Sequence, residues 1–267
     1  MTALAIALAD GATVVRRNLI KTRRLPDVLV STIVSPILLV VLFTYVFGGS
    51  IDVPGSTYRE FLLPGIFAMS LIFGTTVTAV GLADDMQKGI IDRFRSLPMA
   101  RSAVLVGRTA SDAINNSIAL VVMSTTGLLV GWRIHTSIPE AVGGFLLLLA
   151  FAYAFAWVMA FVGLKVRSVE VVNNAATMFI FPMTFIANTF VPSQNLPTVL
   201  RTIAEWNPVS ALAQAAREAF GNAVPYTSTS EAWSMHHPAA YVLLWVAAIL
   251  AVFVPLAVRE YTRSTSA

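Results

Sequence analysis

The chain has 267 residues, 57% of them hydrophobic and only 12% charged, and its mean hydropathy is +0.75. A composition this apolar excludes an ordinary soluble domain of that length. The absence of cysteine rules out a disulfide framework, thiol catalysis and Cys-ligated metals, and the net charge of +4 follows membrane topology rather than nucleic-acid binding.

In chain order, residues 1–27 come first, mixing apolar residues with Arg16, Arg17, Lys21, Arg23 and Arg24. A secretory signal puts its positive charge before its apolar core; here the order is reversed. The run Arg16-Arg17-Asn18-Leu19-Ile20-Lys21 has the look of a twin-arginine signal, but no small-residue cleavage site closes the next apolar run. Leu4, Leu8, Val15 and Leu19 share one helical face. The segment is therefore expected to lie as an amphipathic helix on the inner interface, its basic cluster against anionic headgroups.

Six apolar runs follow, near Val28–Phe47, Leu62–Leu82, Ser111–Val130, Ala141–Leu164, Val171–Val191 and Ala239–Val258. Each approaches the length of about 20 residues that a bilayer core requires. Because the runs are continuous rather than alternating, they favour helices over a barrel. The expected fold is an all-α integral membrane protein: one domain over residues 1–267, with six transmembrane helices in residues 28–258 and a tail at 259–267. Fourteen Lys and Arg fall before span one, between spans two and three, between spans four and five, and after span six, while Arg59, Arg133, Arg201 and Arg217 occupy the alternate loops. The excess of positive charge on cytoplasmic loops places both termini in the cytoplasm and the chain in the cytoplasmic membrane.

Span two carries a stripe of Ser70, Gly74, Thr78 and Gly81, a pattern suited to close helix packing. The loop after it is amphipathic: Ile90, Ile91, Phe94 and Leu97 recur at helical spacing, Lys88 and Asp92 lie i,i+4, Asp92 and Arg95 lie i,i+3, and Pro98 ends the element. Two readings fit. Such a helix docks in a soluble partner's groove, with Phe94 as anchor and Arg93 and Arg95 as orienting charges, or it lies flat on the inner leaflet. At the start of span three, Asp112 follows Arg108 by four residues, which reads as a local ion pair. Ionisable residues at membrane depth are otherwise lacking, which counts against an ion-coupled secondary efflux carrier.

Span five places Asn173, Thr177, Thr184 and Asn188 in one narrow sector around Pro182, a surface for helix packing or for translocation of an amphiphile. Beyond it, about Pro197–Trp206 and Val209–Phe220 read as two short helices split by the helix stop Asn207-Pro208. They are too short to cross and read as re-entrant helices, or as surface helices in an ordinary outer loop. His135, His236 and His237 fall in outer loops without partners at metal-ligand spacing. Neither a phosphate-binding loop nor a dinucleotide fingerprint is present, so no residue is assigned a catalytic role and the chain is not expected to hydrolyse ATP itself.

The segment Lys88-Gly89-Ile90-Ile91-Asp92-Arg93-Phe94-Arg95-Ser96-Leu97-Pro98 resembles the cytoplasmic loop signature of the daunorubicin-resistance permease family, membrane subunits of type-2 ABC exporters. The resemblance extends through Tyr45-Val46-Phe47-Gly48-Gly49, Phe61-Leu62-Leu63-Pro64-Gly65-Ile66, Phe181-Pro182-Met183-Thr184-Phe185 with Asn188 and Phe190-Val191, and Asn207-Pro208-Val209. It implies two permease subunits, identical or paralogous, and two ATP-binding cassette subunits that hold ATP and magnesium; this chain would carry no cofactor. Under it Lys88 to Pro98 form a coupling helix seated in the ATPase, Trp206, Asn207 and Pro208 belong to a re-entrant outer cap, and spans one, two and five line a path for a hydrophobic drug or lipid. Thr78, Asn173, Thr177, Thr184 and Asn188 are the candidate path residues. One departure is visible: Gln87 stands where the family often has Glu.

Overall fold

Backbone groups inside a bilayer find no water, so an apolar chain closes its hydrogen bonds within each segment. The structure, a computed structural model, describes residues 26–47, 57–91, 103–166, 168–193, 196–223 and 232–263, and among them every regular element is a helix. In order these are α1 (Pro26–Phe47), α2 (Tyr58–Gly74), α3 (Thr76–Gln87), α4 (Ala103–Leu129), α5 (Ile138–Lys165), α6 (Val169–Phe185), α7 (Thr198–Trp206), α8 (Pro208–Phe220), α9 (Trp233–His236) and α10 (Pro238–Arg263). The amphipathic helix expected within residues 1–25 lies outside the described residues.

Local chemistry sets the helix starts. Thr57 and Glu60 form a capping box before α2: the Glu60 backbone N–H donates to the Thr57 hydroxyl at 3.4 Å, and the Thr57 N–H donates to Glu60 Oε2 at 3.3 Å. Losing such a cap costs about 1 kcal/mol. Helices α2 and α3 together make one apolar span of 30 residues, Tyr58–Gln87, interrupted at Thr75. There the Thr75 hydroxyl donates back to the Ile72 carbonyl at 2.6 Å and the Thr76 hydroxyl donates to the Phe73 carbonyl, a pattern that bends helices. The span is thus longer than the run Leu62–Leu82 and interrupted within it.

The long helix α5 packs against α10, α3, α8 and α4, and α2 is buried almost throughout. Its Phe67 stands edge-on to Trp132, which stands edge-on to Phe220 of α8; this aromatic core sits at the end holding the α4–α5 loop. The opposite end is closed by a second apolar cluster in which Leu82, Ile91, Leu105, Trp157, Leu164 and Tyr261 meet. Lys165 pairs there with Glu260 at 3.2 Å, tying α5 to α10.

By length and composition, Tyr58–Gln87, Ile138–Lys165 and Pro238–Arg263 can each cross a membrane, and Ile33–Val46 in α1 is a shorter apolar stretch. The runs expected as spans three and five become α4, which starts at Ala103 and so takes in Arg108, and the 17-residue α6. Helix α6 stops at Phe185 rather than Val191 because the segment after it turns inward, where Asn188 and Thr189 are wholly buried.

Candidate functional site

Where α3 ends, Lys88 and Gly89 form a turn and Gly89 takes φ +62. A side chain in that left-handed region costs roughly 1–2 kcal/mol, so glycine is the residue that lets the chain leave the span sharply. Lys88 pairs with Asp84 one turn back, Nζ to Oδ1 at 2.7 Å. Ile90 is half-buried and Ile91 is buried in the apolar cluster of this end. Ile91 therefore anchors the segment to its own bundle. Asp92, Arg93, Phe94, Arg95, Leu97 and Pro98 lie outside the described residues.

Helices α3 and α4, which flank that segment, are joined by a polar seam. Arg108, Asp112 and Asn116 recur at i,i+4 spacing on one face of α4, against Gly81, Thr78 and Gly74. Arg108 Nε donates to Asp112 Oδ2 at 3.2 Å, the Thr78 hydroxyl donates to the same oxygen at 2.6 Å, and an Arg108 terminal nitrogen donates to the Val77 carbonyl at 2.7 Å. Gly74 and Gly81 leave room for Asn116 and for the guanidinium. The expected Arg108–Asp112 pair is thus present and buried. Thr78 is spent within this seam, with no exposed surface.

Helix α6 divides the remaining path candidates. Its buried residues are Val172, Ala176, Ile180 and Thr184, each four after the last. Steps of four advance about 40° around an α-helix, so the buried stripe slants across it, as when one helix crosses another at an angle. Asn173 and Thr177 are consequently exposed near the start of α6, whereas Thr184 and the post-helical Asn188 are buried at its end. Exposed Met178, Phe181 and Phe185 give the helix a broad apolar face. Phe181 stacks on Phe185, Phe185 meets Phe190, and Phe190 stacks on Phe43 of α1 at 4.6 Å, so an aromatic ribbon links the two helices.

The end that holds the α4–α5 loop also holds α7 and α8. Asn207 does two tasks: its side-chain oxygen accepts from the Val209 N–H at 2.9 Å, starting α8, and its side-chain nitrogen donates to the Met183 carbonyl at 2.7 Å, joining α8 to α6. Pro208 occupies the first helical position, where its missing N–H is harmless. Trp206 is half exposed and clusters with Tyr241, whose hydroxyl donates to the Trp206 carbonyl at 2.8 Å. Trp233 and Trp245 adjoin the same Tyr241, and such clusters favour a membrane–water interface. Of the two short helices, α7 exposes Val199, Ile203 and Trp206, while α8 is buried on nearly all sides.

Sequence reasoning missed the residue that ties this end together. Arg217 has 0% exposure; its Nε donates to the Phe61 carbonyl at 2.7 Å, and its terminal nitrogens donate to the Asn188 side-chain oxygen at 3.2 Å and the Asn188 carbonyl at 2.8 Å. The guanidinium also lies 3.8 Å from the Phe61 ring centroid, and the Asn188 N–H donates to the Ser210 hydroxyl at 3.0 Å. One cation thus holds α8, the start of α2 and the chain after α6 together. His135, exposed in the α4–α5 loop, meets Glu60 at 2.7 Å, and no group of residues suited to a metal ion occurs among the described residues.

A helical membrane protein with long apolar spans and short helices packed at one end is the class these features define. Residues 11–220 match the family model described as ABC-2 type transporter, and the chain belongs to that family. It is 30% identical over 97% of its length to 88% of the daunorubicin resistance ABC transporter permease protein of Streptomyces coeruleorubidus. It is 26% identical over 98% of its length to 92% of a probable doxorubicin resistance ABC transporter permease protein of Mycobacterium tuberculosis. With the inner membrane transport permease of Escherichia coli it shares 21% identity, covering 81% of this chain and 86% of that one. The relatives are permease proteins, two of them of drug-resistance ABC transporters.

Proposed function

We propose that this chain is the permease subunit of an ATP-driven exporter that moves a hydrophobic or amphiphilic compound, a drug or a lipid, outward across the plasma membrane. Near-full-length similarity to drug-resistance permeases carries the reading. In this reading α1, α2–α3, α4, α5, α6 and α10 are the six spans, both termini are cytoplasmic by the distribution of Lys and Arg, and the Gln87 end faces the cytosol. Two ATP-binding cassette subunits bind ATP and magnesium. A second permease subunit, identical or paralogous, packs against the exposed faces of α1 and α6, so that Asn173 and Thr177 face the path between the two.

The proposed mechanism is alternating access. The segment from Lys88 to Pro98 receives the push of the closing ATPases. Ile91 fixes that segment to the bundle, and the Arg108–Asp112–Thr78 seam makes α3 and α4 move as one hairpin. At the other end, Arg217 makes α8, the start of α2 and the end of α6 move together. Rigid contacts of this kind convert a local displacement into rearrangement of whole spans. No bond in the transported compound is made or broken.

Co-expression with the candidate ATP-binding subunit and purification through a tag on this chain tests the coupling assignment. The wild-type pair is expected to co-elute, and Phe94→Ala combined with Arg93→Glu is expected to lose or uncouple the ATPase while membrane insertion stays normal. Undiminished co-elution and activity of that variant would remove Phe94 and Arg93 from the contact.

A further inference from the structure

The two helices of span two, α2 and α3, meet in a turn tighter than an α-helix. Thr75 is fully buried there with φ −69 and ψ −16; its N–H donates to the Ile72 carbonyl at 3.1 Å, and its carbonyl accepts from the Thr78 N–H at 3.0 Å. Bonds that reach back three residues make a 3₁₀ turn, which within a longer helix often marks a joint. The Thr75 and Thr76 hydroxyls cover the Ile72 and Phe73 carbonyls, so the interruption leaves those oxygens satisfied where no water reaches them.

The two sides of this turn are fastened to different parts of the molecule. On one side, Arg217 of α8 donates to the Phe61 carbonyl and the Tyr58 hydroxyl donates to the Phe190 carbonyl at 3.1 Å, while Gly65 lies so close to the chain after α6 that a Cβ would stand 2.7 Å from the Thr189 carbonyl oxygen. On the other side, Asp112 and Arg108 of α4 bond Thr78 and the Val77 carbonyl. Helix α5 touches α3 at Gly163, where a Cβ would stand 2.8 Å from Ala79 Cα. Ala79 is about one helical turn from Thr75, so this contact sits at the joint as a fulcrum. Opposite the joint stands Asn116 of α4, 6% exposed, its side-chain oxygen against Gly74; it makes no hydrogen bond with another described residue. A buried amide without a partner is costly. Further along α4 the contact with α2 is apolar, Leu63 against Gly127, and fixes no polar register.

We propose that Thr75 is the hinge of span two and Asn116 its positioning residue. The arm made by α3 and α4 turns about Thr75 while α2 stays with α8 and the chain after α6. In the turned state the Asn116 amide donates to a carbonyl that the opening 3₁₀ turn releases. The joint thus has two arrangements, each satisfying a different set of polar groups, as a two-state element requires. The proposal rests on the exporter reading above and locates its moving joint.

The chain has no cysteine, so spin labels attach only where cysteines are introduced. The full permease, with its ATP-binding subunit in lipid nanodiscs, carries either a pair across the joint, Gln87→Cys with Ile138→Cys, or a control pair on the α2 side, Ile138→Cys with Val199→Cys; all three positions are exposed. Helix α3 has 12 residues, an arm about 18 Å long, and a turn of about 15° carries its end about 5 Å. Trapping with ATP and vanadate is expected to shift the first distance by about that much and to leave the second unchanged. Thr75→Ala with Thr76→Ala is expected to abolish the shift, and Thr75→Ser with Thr76→Ser to keep it. Asn116→Leu is expected to abolish the shift without lowering the thermal stability of the ATP-free protein, since it breaks no hydrogen bond there; a residue that only packs would lower stability and leave the shift. A shift that survives the alanine pair or Asn116→Leu overturns the proposal. So does an associated, ATP-hydrolysing complex in which the first distance stays fixed or both distances move together. An ATPase that does not associate overturns the exporter reading, and the hinge with it.

Discussion

Arg217→Met is expected to destabilise the folded permease by roughly 3–5 kcal/mol, because three buried acceptors lose their donor together and each costs about 1 kcal/mol or more. Methionine fills much of the volume, so the loss is chemical rather than steric. The Phe61 carbonyl and both Asn188 oxygens lose a charged donor, and a buried acceptor left unmade costs about 1–3 kcal/mol. Arg217→Lys is expected to recover only part, because an ammonium is a point donor and cannot span the Phe61 and Asn188 acceptors as a planar fork does. Arg201→Ala in α7, removing a half-exposed pair with Glu205, is the control and should shift stability by no more than about 1 kcal/mol. Thermal unfolding of the solubilised protein, followed by loss of the monodisperse peak, ranks the variants. An Arg217→Met protein that melts with wild type would mean that the cap is not held by this cation.

Asp112→Ala is expected to rank second, because it leaves the guanidinium of Arg108 in α4 buried against α3 without its carboxylate. Removing one partner of a buried pair costs about 3–5 kcal/mol. Replacing both partners by apolar residues, Arg108→Met with Asp112→Leu, is expected to restore most of the loss, since a matched apolar pair is often neutral. Thr78→Val, which removes a neutral donor, should cost only about 0.6 kcal/mol, the average for hydrogen bonds between membrane helices. The same unfolding measurement on all three gives the comparison. Additive effects of the Arg108 and Asp112 changes, with no recovery in the double variant, would show that the two side chains do not act as a pair.

Legibility in the sequence follows the range of the interaction. The cap helices are readable because Asn207-Pro208 is a local stop and each half carries its own apolar face; the structure puts helices at Thr198–Trp206 and Pro208–Phe220. The Arg108–Asp112 pair is readable because both residues sit on one helical face. Arg217 is not, because its main acceptors are backbone carbonyls of Phe61 and Asn188, which no side-chain pattern encodes. His135 and Glu60 are 75 positions apart, so no spacing connects them. The polar sector of span five is legible as a sector but not as an exposed face: the slanted crossing of α6 buries Thr184 and exposes Asn173, and a crossing angle is a property of two helices rather than of one.

In the proposed function this chain carries an amphiphile outward on energy supplied by an associated ATPase, and not on an ion gradient. Purified permease and ATP-binding subunit, reconstituted together into vesicles and given a lipophilic amine dye, measure it directly. Dye movement is expected to need ATP and magnesium, to persist with a protonophore, and to stop when the phosphate-binding lysine of the partner is replaced. Movement that continues without ATP and collapses with the protonophore would contradict it and establish an ion-coupled carrier instead.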